Sequence, residues 1–439
     1  MLLFRQFVDD DLGCASYLVG DEAAGRAVLV DPAFETDPYL EAAAAAGVRI
    51  ERVLETHTHA DHVSGHGRFA LEQGVPVSIH GLAEPEYPFE ALADGDELEV
   101  GDVRIAVLHT PGHRPEHCAF LVDGTLALTG DSLFIGDAAR PDLAVAAREG
   151  AEDLFHSLER LTRLGDDVAV YPGHVAGSLC GTRMSPDRSS TIGRERSSNA
   201  ALRFRDIQEF VLESASVSAP RPPTVERVVA LNRGPWVARP EDLIELDDLT
   251  GTIVLDVRPF TAYAAGHVPG AINVPESAGS FGTRAGFVLA PDERVCLHAS
   301  SHEEARAAAR KLWAVGILGL AGYTLAPPAP ETTPAVDVAE LKRLIDQTDV
   351  QVVDVREAYE RDEGYIPGSK NIPYRLLRKL GTGALERSKP VITVCESGAR
   401  ASIAASLLQR DGFDARAVAE GGVSTFDGDV VSFRRCGGG

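Results

Sequence analysis

The sequence predicts a layered α/β protein in three parts. Three observations carry this expectation. Short apolar, β-like runs alternate with Ala-rich helical stretches through the first half of the chain. Two proline-rich stretches interrupt it. Between and beyond them, one pattern of residues occurs twice.

In chain order, Arg26–Val30, Val53–Glu55, Val75–Ile79, Val103–Leu108, Ala119–Val122, Thr125–Leu128 and Val168–Tyr171 read as strands. Each is a short run rich in Val, Ile and Leu, too short for a buried helix. Pro38–Ala46 and Gly150–Arg163 read as helices. Asp123-Gly124 lies between two of the apolar runs and suits the tight turn of a hairpin. Strands interspersed with helices imply stacked α/β layers.

The proline-rich seams are Ala219–Pro223, with Pro235 and Pro240 close behind, and Ala326–Pro334. Proline removes a backbone donor and favours extended chain, as linkers do. They suggest domains at 1–238, 239–328 and 329–439. The repeat is Val254-Leu255-Asp256-Val257-Arg258, Tyr263 and Gly266–Pro275. Its second copy is Val352-Val353-Asp354-Val355-Arg356, Tyr359 and Gly364–Pro373.

Bulk properties narrow the function classes. The chain has 439 residues, 44% of them hydrophobic, enough for several cores, and a net charge of −24. That charge argues against a nucleic-acid backbone or an anionic membrane as partner. Met1–Asp11 turns acidic without a long apolar run, so neither a leader nor a membrane span is expected, and the cytoplasm is the expected location. Cys14, Cys118, Cys180, Cys296, Cys395 and Cys436 form no Cys-x-x-Cys pair and are expected as free thiols.

Thr56-His57-Thr58-His59-Ala60-Asp61-His62 sets four metal-ligand side chains directly after the apolar Val53-Leu54. Histidine and carboxylate suit zinc, iron or manganese. His57 and His59 can face one ion, with Asp61 and His62 serving a neighbouring site or orienting the ligands. Further ligands stand at the ends of later apolar runs, each after a glycine: His113, Asp131 and His174. On spacing alone, one metal or two is open.

These motifs resemble the metallo-β-lactamase superfamily, which implies an αβ/βα sandwich over residues 1–238. His at position 59, not Glu, points away from its flavodiiron branch. The blocks Gly130–Leu143, His174–Gly181 and Thr191–Asn199 resemble persulfide dioxygenases. That resemblance implies one Fe(II) per chain, held by His57, His113 and Asp131. Two histidines and one carboxylate leave open positions on the ion. His59, Asp61, His62 and His174 would then support the ligands or hold a second metal. Arg140, Arg183 and Arg194 are candidate anion contacts for the substrate, and Cys180 a candidate pocket residue.

Val391–Val394 is an apolar run that delivers Cys395 into the loop Glu396-Ser397-Gly398, with a helix expected from about Ala399. Backbone N–H groups and a helix N-terminus favour a thiolate there. Four residues separate Cys395 from Arg400. The loop and the repeat resemble rhodanese, which implies sulfur transfer at Cys395 with Arg400 in the catalytic loop. Cys-dependent phosphatases use a longer loop. In the first copy, Ala299 aligns with Cys395 and Cys296 falls inside the strand. The middle domain is therefore expected to be a rhodanese-like scaffold without the thiol, and the last an active rhodanese.

Together the resemblances imply oxidation of a low-molecular-weight thiol persulfide, of glutathione or coenzyme A type, by O2 to thiol and sulfite. Sulfur transfer to or from thiosulfate would be coupled to it, in a homo-oligomer. The alternatives are a binuclear thioester hydrolase of the glyoxalase II type and a non-oxidising sulfur-relay protein.

Overall fold

The computed structural model describes residues 1–141, 146–175, 184–216, 221–290, 292–326 and 330–432. Cys180 and Arg183 lie outside these residues, as does Cys436. The chain divides into two units: Met1–Pro240 with Trp313–Gly316, and Glu241–Leu312 with Ile317–Gly439.

The first unit contains two six-stranded sheets. One is built from β1 (Leu2–Val8), β2 (Ala15–Asp21), β3 (Arg26–Val30), β4 (Arg49–Leu54), β5 (Val77–His80) and β6 (Glu90–Leu92), in that spatial order. β1 to β3 pair antiparallel, and β3 to β6 parallel. The other runs β12-β11-β10-β9-β8-β7, from β7 (Glu97–Val100), β8 (Val103–His109), β9 (Cys118–Val122), β10 (Leu126–Gly130), β11 (Ala169–Pro172) and β12 (Ser190–Thr191). Asp123 and Gly124 close the β9–β10 hairpin with φ of 47° and 65°, the positive pair a two-residue hairpin turn requires.

Three apolar clusters make this a four-layer sandwich. Tyr17, Val19, Val30, Leu54, Ile105, Val107, Phe120 and Leu128 fill the space between the sheets. Leu18, Leu29, Val53 and Val77 pack outward against Tyr39 and Ala43 of the helix Asp37–Ala46 and Phe69 of the helix His66–Gln73. Ala119, Ala127 and Val170 pack on the opposite side against Leu154, Leu158 and Leu161 of the helix Ala147–Leu161. Alternate strand residues thus serve different layers, as the pleat dictates. The polar ends of β3, β4, β8, β10 and β11 carry the loops described below.

The second unit holds two parallel sheets. The first is ordered β14-β13-β15-β16, from β13 (Ile253–Asp256), β14 (Ile272–Asn273), β15 (Val295–His298) and β16 (Leu320–Thr324). The second is ordered β17-β21-β20-β18-β19, from β17 (Val336–Asp337), β18 (Gln351–Asp354), β19 (Lys370–Asn371), β20 (Val391–Val394) and β21 (Ala415–Glu420).

The repeat in sequence is a repeat in register. Asp256 pairs with His298 and Asn273, and Asp354 pairs with Val394 and Asn371. Arg258 reaches Asp256 and the Gly266 carbonyl, and Arg356 reaches Asp354 and the Gly364 carbonyl. Asn273 and Asn371 each donate to two carbonyls of their own Asp-Val-Arg run. Among the described residues, no helix is long and apolar enough to cross a membrane.

Candidate metal centre and thiol loop

The metal centre grows from strand ends. After β3, Asp31 adopts φ 48° and accepts from Thr56 N–H and Thr56 Oγ1, each at 2.7 Å. Thr56 Oγ1 thus has its proton committed, so it accepts from His57 Nδ1–H at 2.9 Å. That fixes the tautomer and leaves the His57 Nε2 lone pair for an ion. His113 reaches the same state by another route. Its Nδ1 lies 3.0 Å from the Arg140 carbonyl, which can only accept, so Nε2 carries the lone pair.

His113 Nε2 and Asp131 Oδ2 are 3.5 Å apart. Asp131 Oδ2 is buried without a hydrogen-bond partner, an expensive state for a carboxylate oxygen unless a cation sits beside it. One ligand atom each from His57, His113 and Asp131 lies within 4.8 Å of the others. The donor set fits one ion with open positions. Burial alone would raise the Asp131 carboxyl, but His174 and His113 outweigh it and hold it down to about 2.

His174 joins two carboxylates. Its Nδ1 is 2.8 Å from Asp131 Oδ1, and its Nε2 is 2.7 Å from Asp61 Oδ2. Asp61 Oδ1 is 3.2 Å from His62 Nδ1. Cys14 Sγ sits among them, 3.2 Å from Asp61 Oδ2, 3.3 Å from His174 Nε2 and 3.5 Å from His62 Nδ1. Cys14, Asp61 and His174 form a second group with metal-ligand spacing, and His59, Asp61 and His62 a third.

His59 has a different environment from His57, although their ring centroids are 4.3 Å apart. Its Nε2 lies 3.2 Å from Asp31 and 3.1 Å from Glu55. Burial pushes this imidazole down, but the two carboxylates prevail and hold it well above the ordinary range. Glu55 also accepts from Ser64 Oγ at 2.6 Å and meets His66 Nδ1 at 3.1 Å.

Several residues of the site carry no motif. Asn232, on the helix Thr224–Arg233, donates to the carbonyls of His59 and His62 and accepts from Ser64 N–H, clasping the histidine loop. His117 Nε2 accepts from Asp131 N–H at 2.8 Å, and its Nδ1–H faces Thr110 Oγ1 at 2.9 Å. Both nitrogens are thereby engaged, and His117 positions the ligand strand. Burial holds this imidazole down to about 3. Gly130 turns at φ 49°, and a Cβ there would stand 2.6 Å from His117 Nε2. Arg114 and Glu116 flank the site, Glu116 accepting from Arg114 Nε and from Thr58 N–H. Asp31 and Glu55 did have a signal, since each follows an apolar strand as the other ligands do.

Of the arginines proposed for the substrate, Arg140 is buried beside His113 through its carbonyl. Arg194 stands on the exposed side of the helix Ile192–Ser198, paired with Asp187 at 2.8 Å.

In the second unit, Cys395 follows β20 directly and is buried. The helix after it spans Ala399–Arg410. Gly398 donates its N–H to Cys395 Sγ at 3.2 Å. Arg400 lies in a two-point ion pair with Glu360, at 2.5 and 2.8 Å. Arg356 links the Asp354 carboxylate to Glu396 of the loop at 2.5 Å. In the other sheet, Ala299 takes the place of Cys395 by register, one residue beyond His298 and hence beyond the partner of Asp256. Cys296 lies within β15, where burial pushes its thiol up to about 11.

Residues 9–174 match the metallo-beta-lactamase superfamily, and residues 239–324 and 337–429 each match the rhodanese-like domain. The structure is similar to that of a metallo-beta-lactamase from Staphylococcus aureus subsp. aureus COL, with a TM-score of 0.68 and 28% identity. That match covers 75% of this chain and 99% of the other. The chain thus joins a metallo-β-lactamase fold to two rhodanese-like domains. It is 30% identical over 235 residues to the mitochondrial persulfide dioxygenase ETHE1 of Homo sapiens, covering 53% of this chain and 87% of that one. It therefore belongs to the persulfide dioxygenase family. It is also 37% identical over 163 residues to a hydroxyacylglutathione hydrolase of Rhizobium johnstonii, covering 36% of this chain and 60% of the relative.

Proposed function

We propose that the protein is an iron-dependent persulfide dioxygenase with an attached sulfurtransferase. The single observation that supports this best is the open His57, His113 and Asp131 face in a chain that also carries the Cys395 loop. Fe(II) held there would supply open positions at which a persulfide sulfur and O2 meet. The overall reaction balances as R–S–SH + O2 + H2O giving R–SH, SO3²⁻ and two protons.

The chain's own residues set the terms of that chemistry. Thr56 and the Arg140 carbonyl hold the two imidazoles with Nε2 as the ligand atom. Asp131 stays ionised, and His174 holds its other oxygen. Cys395 takes sulfane sulfur from a second persulfide, forming Cys–S–SH and releasing R–SH. Attack of sulfite on the outer sulfur then gives thiosulfate and returns the thiol. Gly398 N–H faces the sulfur through both steps. The reverse flow, from thiosulfate to the dioxygenase site, uses the same groups. The middle domain, residues 239–328, acts as scaffold, spacer or carrier-docking element, since Ala299 offers no nucleophile.

A second reading is a thioester hydrolase with two metals. The group Asp61, His62 and His174, closed by Cys14, favours it. Anaerobic purification with metal analysis, followed by oxygen uptake with glutathione and coenzyme A persulfides, separates the two. One iron per chain and oxygen consumption support the dioxygenase. Two metals, thioester cleavage and no oxygen consumption overturn it.

A further inference from the structure

Arg114 follows His113 directly, and its side chain is only 10% exposed. A guanidinium so enclosed requires partners for its donors. Only Nε has one, Glu116 Oε1 at 2.6 Å. Among the described residues no hydrogen bond or ion pair reaches either terminal nitrogen, and neither is sealed from solvent.

The chain and one carboxylate tie this unused fork to both histidine ligands. Glu116 Oε1 also accepts from Thr58 N–H at 3.2 Å, so one carboxylate fixes Arg114 and the residue after His57. Thr58 Oγ1 is buried without a partner. Two guanidinium nitrogens without partners and a free hydroxyl thus belong to the residues that directly follow the two histidines. Such a fork matches the paired oxygens of a carboxylate or a sulfur oxyanion.

We infer that Arg114, held by Glu116 and assisted by Thr58, is an oxyanion-binding subsite beside the His57, His113 and Asp131 face. Its ligand is an anionic oxygen group, supplied either by a carboxylate of the thiol carrier or by the sulfite that leaves. The inference deepens the dioxygenase reading and rests on it.

The test uses full-length Cys395→Ser protein, so that the transfer loop stays silent, with Arg114→Gln and Arg114→Lys added in turn. Oxygen uptake is followed with glutathione persulfide and with cysteamine persulfide, which has no carboxylate, and sulfite is titrated as an inhibitor and by calorimetry. If the carrier's carboxylate binds, Arg114→Gln raises KM for glutathione persulfide roughly tenfold or more, leaves cysteamine persulfide unchanged and leaves kcat nearly intact. If sulfite binds, both KM values hold while sulfite inhibition and calorimetric binding weaken by a similar factor. Arg114→Lys, which keeps the charge but not the fork, recovers part of either loss and also serves if Arg114→Gln misfolds. Unchanged KM values and sulfite binding, at parental metal content and melting temperature, overturn the subsite. A parent that takes up no oxygen but loses sulfite binding on Arg114→Gln would sink the dioxygenase reading and leave the subsite standing.

Discussion

Gly398 N–H points at Cys395 Sγ from 3.2 Å, three residues along one short loop. A sulfur anion there meets a fixed donor at the start of the Ala399–Arg410 helix. Gly398 holds this posture at φ 85°, with the Ala419 carbonyl oxygen 2.3 Å from where a Cβ would stand. Gly398→Ala is therefore expected to displace the loop. Left-handed strain alone costs about 1–2 kcal/mol, and the clash adds to it. Sulfur transfer from thiosulfate should fall by at least tenfold while oxygen uptake stays unchanged. Paired rate and denaturation measurements check this.

His113→Ala removes a ligand atom from the triad. Oxygen uptake should disappear and iron content should drop, while transfer at Cys395 continues. Loss of both activities together would show that the sites are not independent.

Cys395→Ser should abolish transfer and leave oxygen uptake, so sulfite should accumulate where thiosulfate formed before. Ion chromatography of the products distinguishes the two outcomes.

Asn232→Ala breaks the clasp on the His57–His62 loop. Three hydrogen bonds go, to the His59 and His62 carbonyls and from Ser64 N–H. Stability should fall by about 1–3 kcal/mol, and iron affinity by roughly 10- to 100-fold, as for other residues that orient ligands. A chelator competition against the parent protein measures the second effect.

Acidification should weaken the metal-free protein before Asp131 and Glu55 are protonated. His117 binds its proton near pH 6.5 when unfolded and only near about 3 when folded. The unfolded chain thus carries more protons across that window, and stability rises with pH through it. His57 and His113 are shifted the same way. His59 is shifted up and keeps its contribution on acidification. Asp131 and Glu55, held down to about 2, lose theirs only below the ordinary carboxylate range. From about pH 7 to about pH 5, His117 alone should account for roughly 2 kcal/mol of lost stability. Urea midpoints of the metal-free protein at the two values test this, and an unchanged midpoint contradicts it.

Much of this was legible in the sequence because it is local. The strand Arg26–Val30 and the helix from Ala399 are written in apolar runs and breakers, and the histidine loop in one short motif. The rest depends on distant partners. Leu2–Val8 carries Arg5 and Gln6 among its apolar residues, and Ala15–Asp21 is buried along its whole length, so neither shows a clean alternation. Asn232 lies far along the chain from the loop it clasps. Arg114 and Glu116 look like solvated charges until the fold buries them. His117 carries no motif, and its role shows only when Asp131 N–H is seen to occupy its lone pair.

The matched pairs Asp256–Arg258 and Asp354–Arg356, with Asn273 and Asn371, persist in a copy that has Ala299 and in one that has Cys395. The most recognisable part of the repeat is therefore masonry. It ties strand ends together whether or not a thiol follows, and a search by that signature recovers domains with and without the loop cysteine alike. The same property makes the middle domain a ready host for grafting. A transplanted loop of Cys395–Arg400 would meet the same strand register in place of Ala299, and the graft would report how much of sulfur transfer resides in the loop itself.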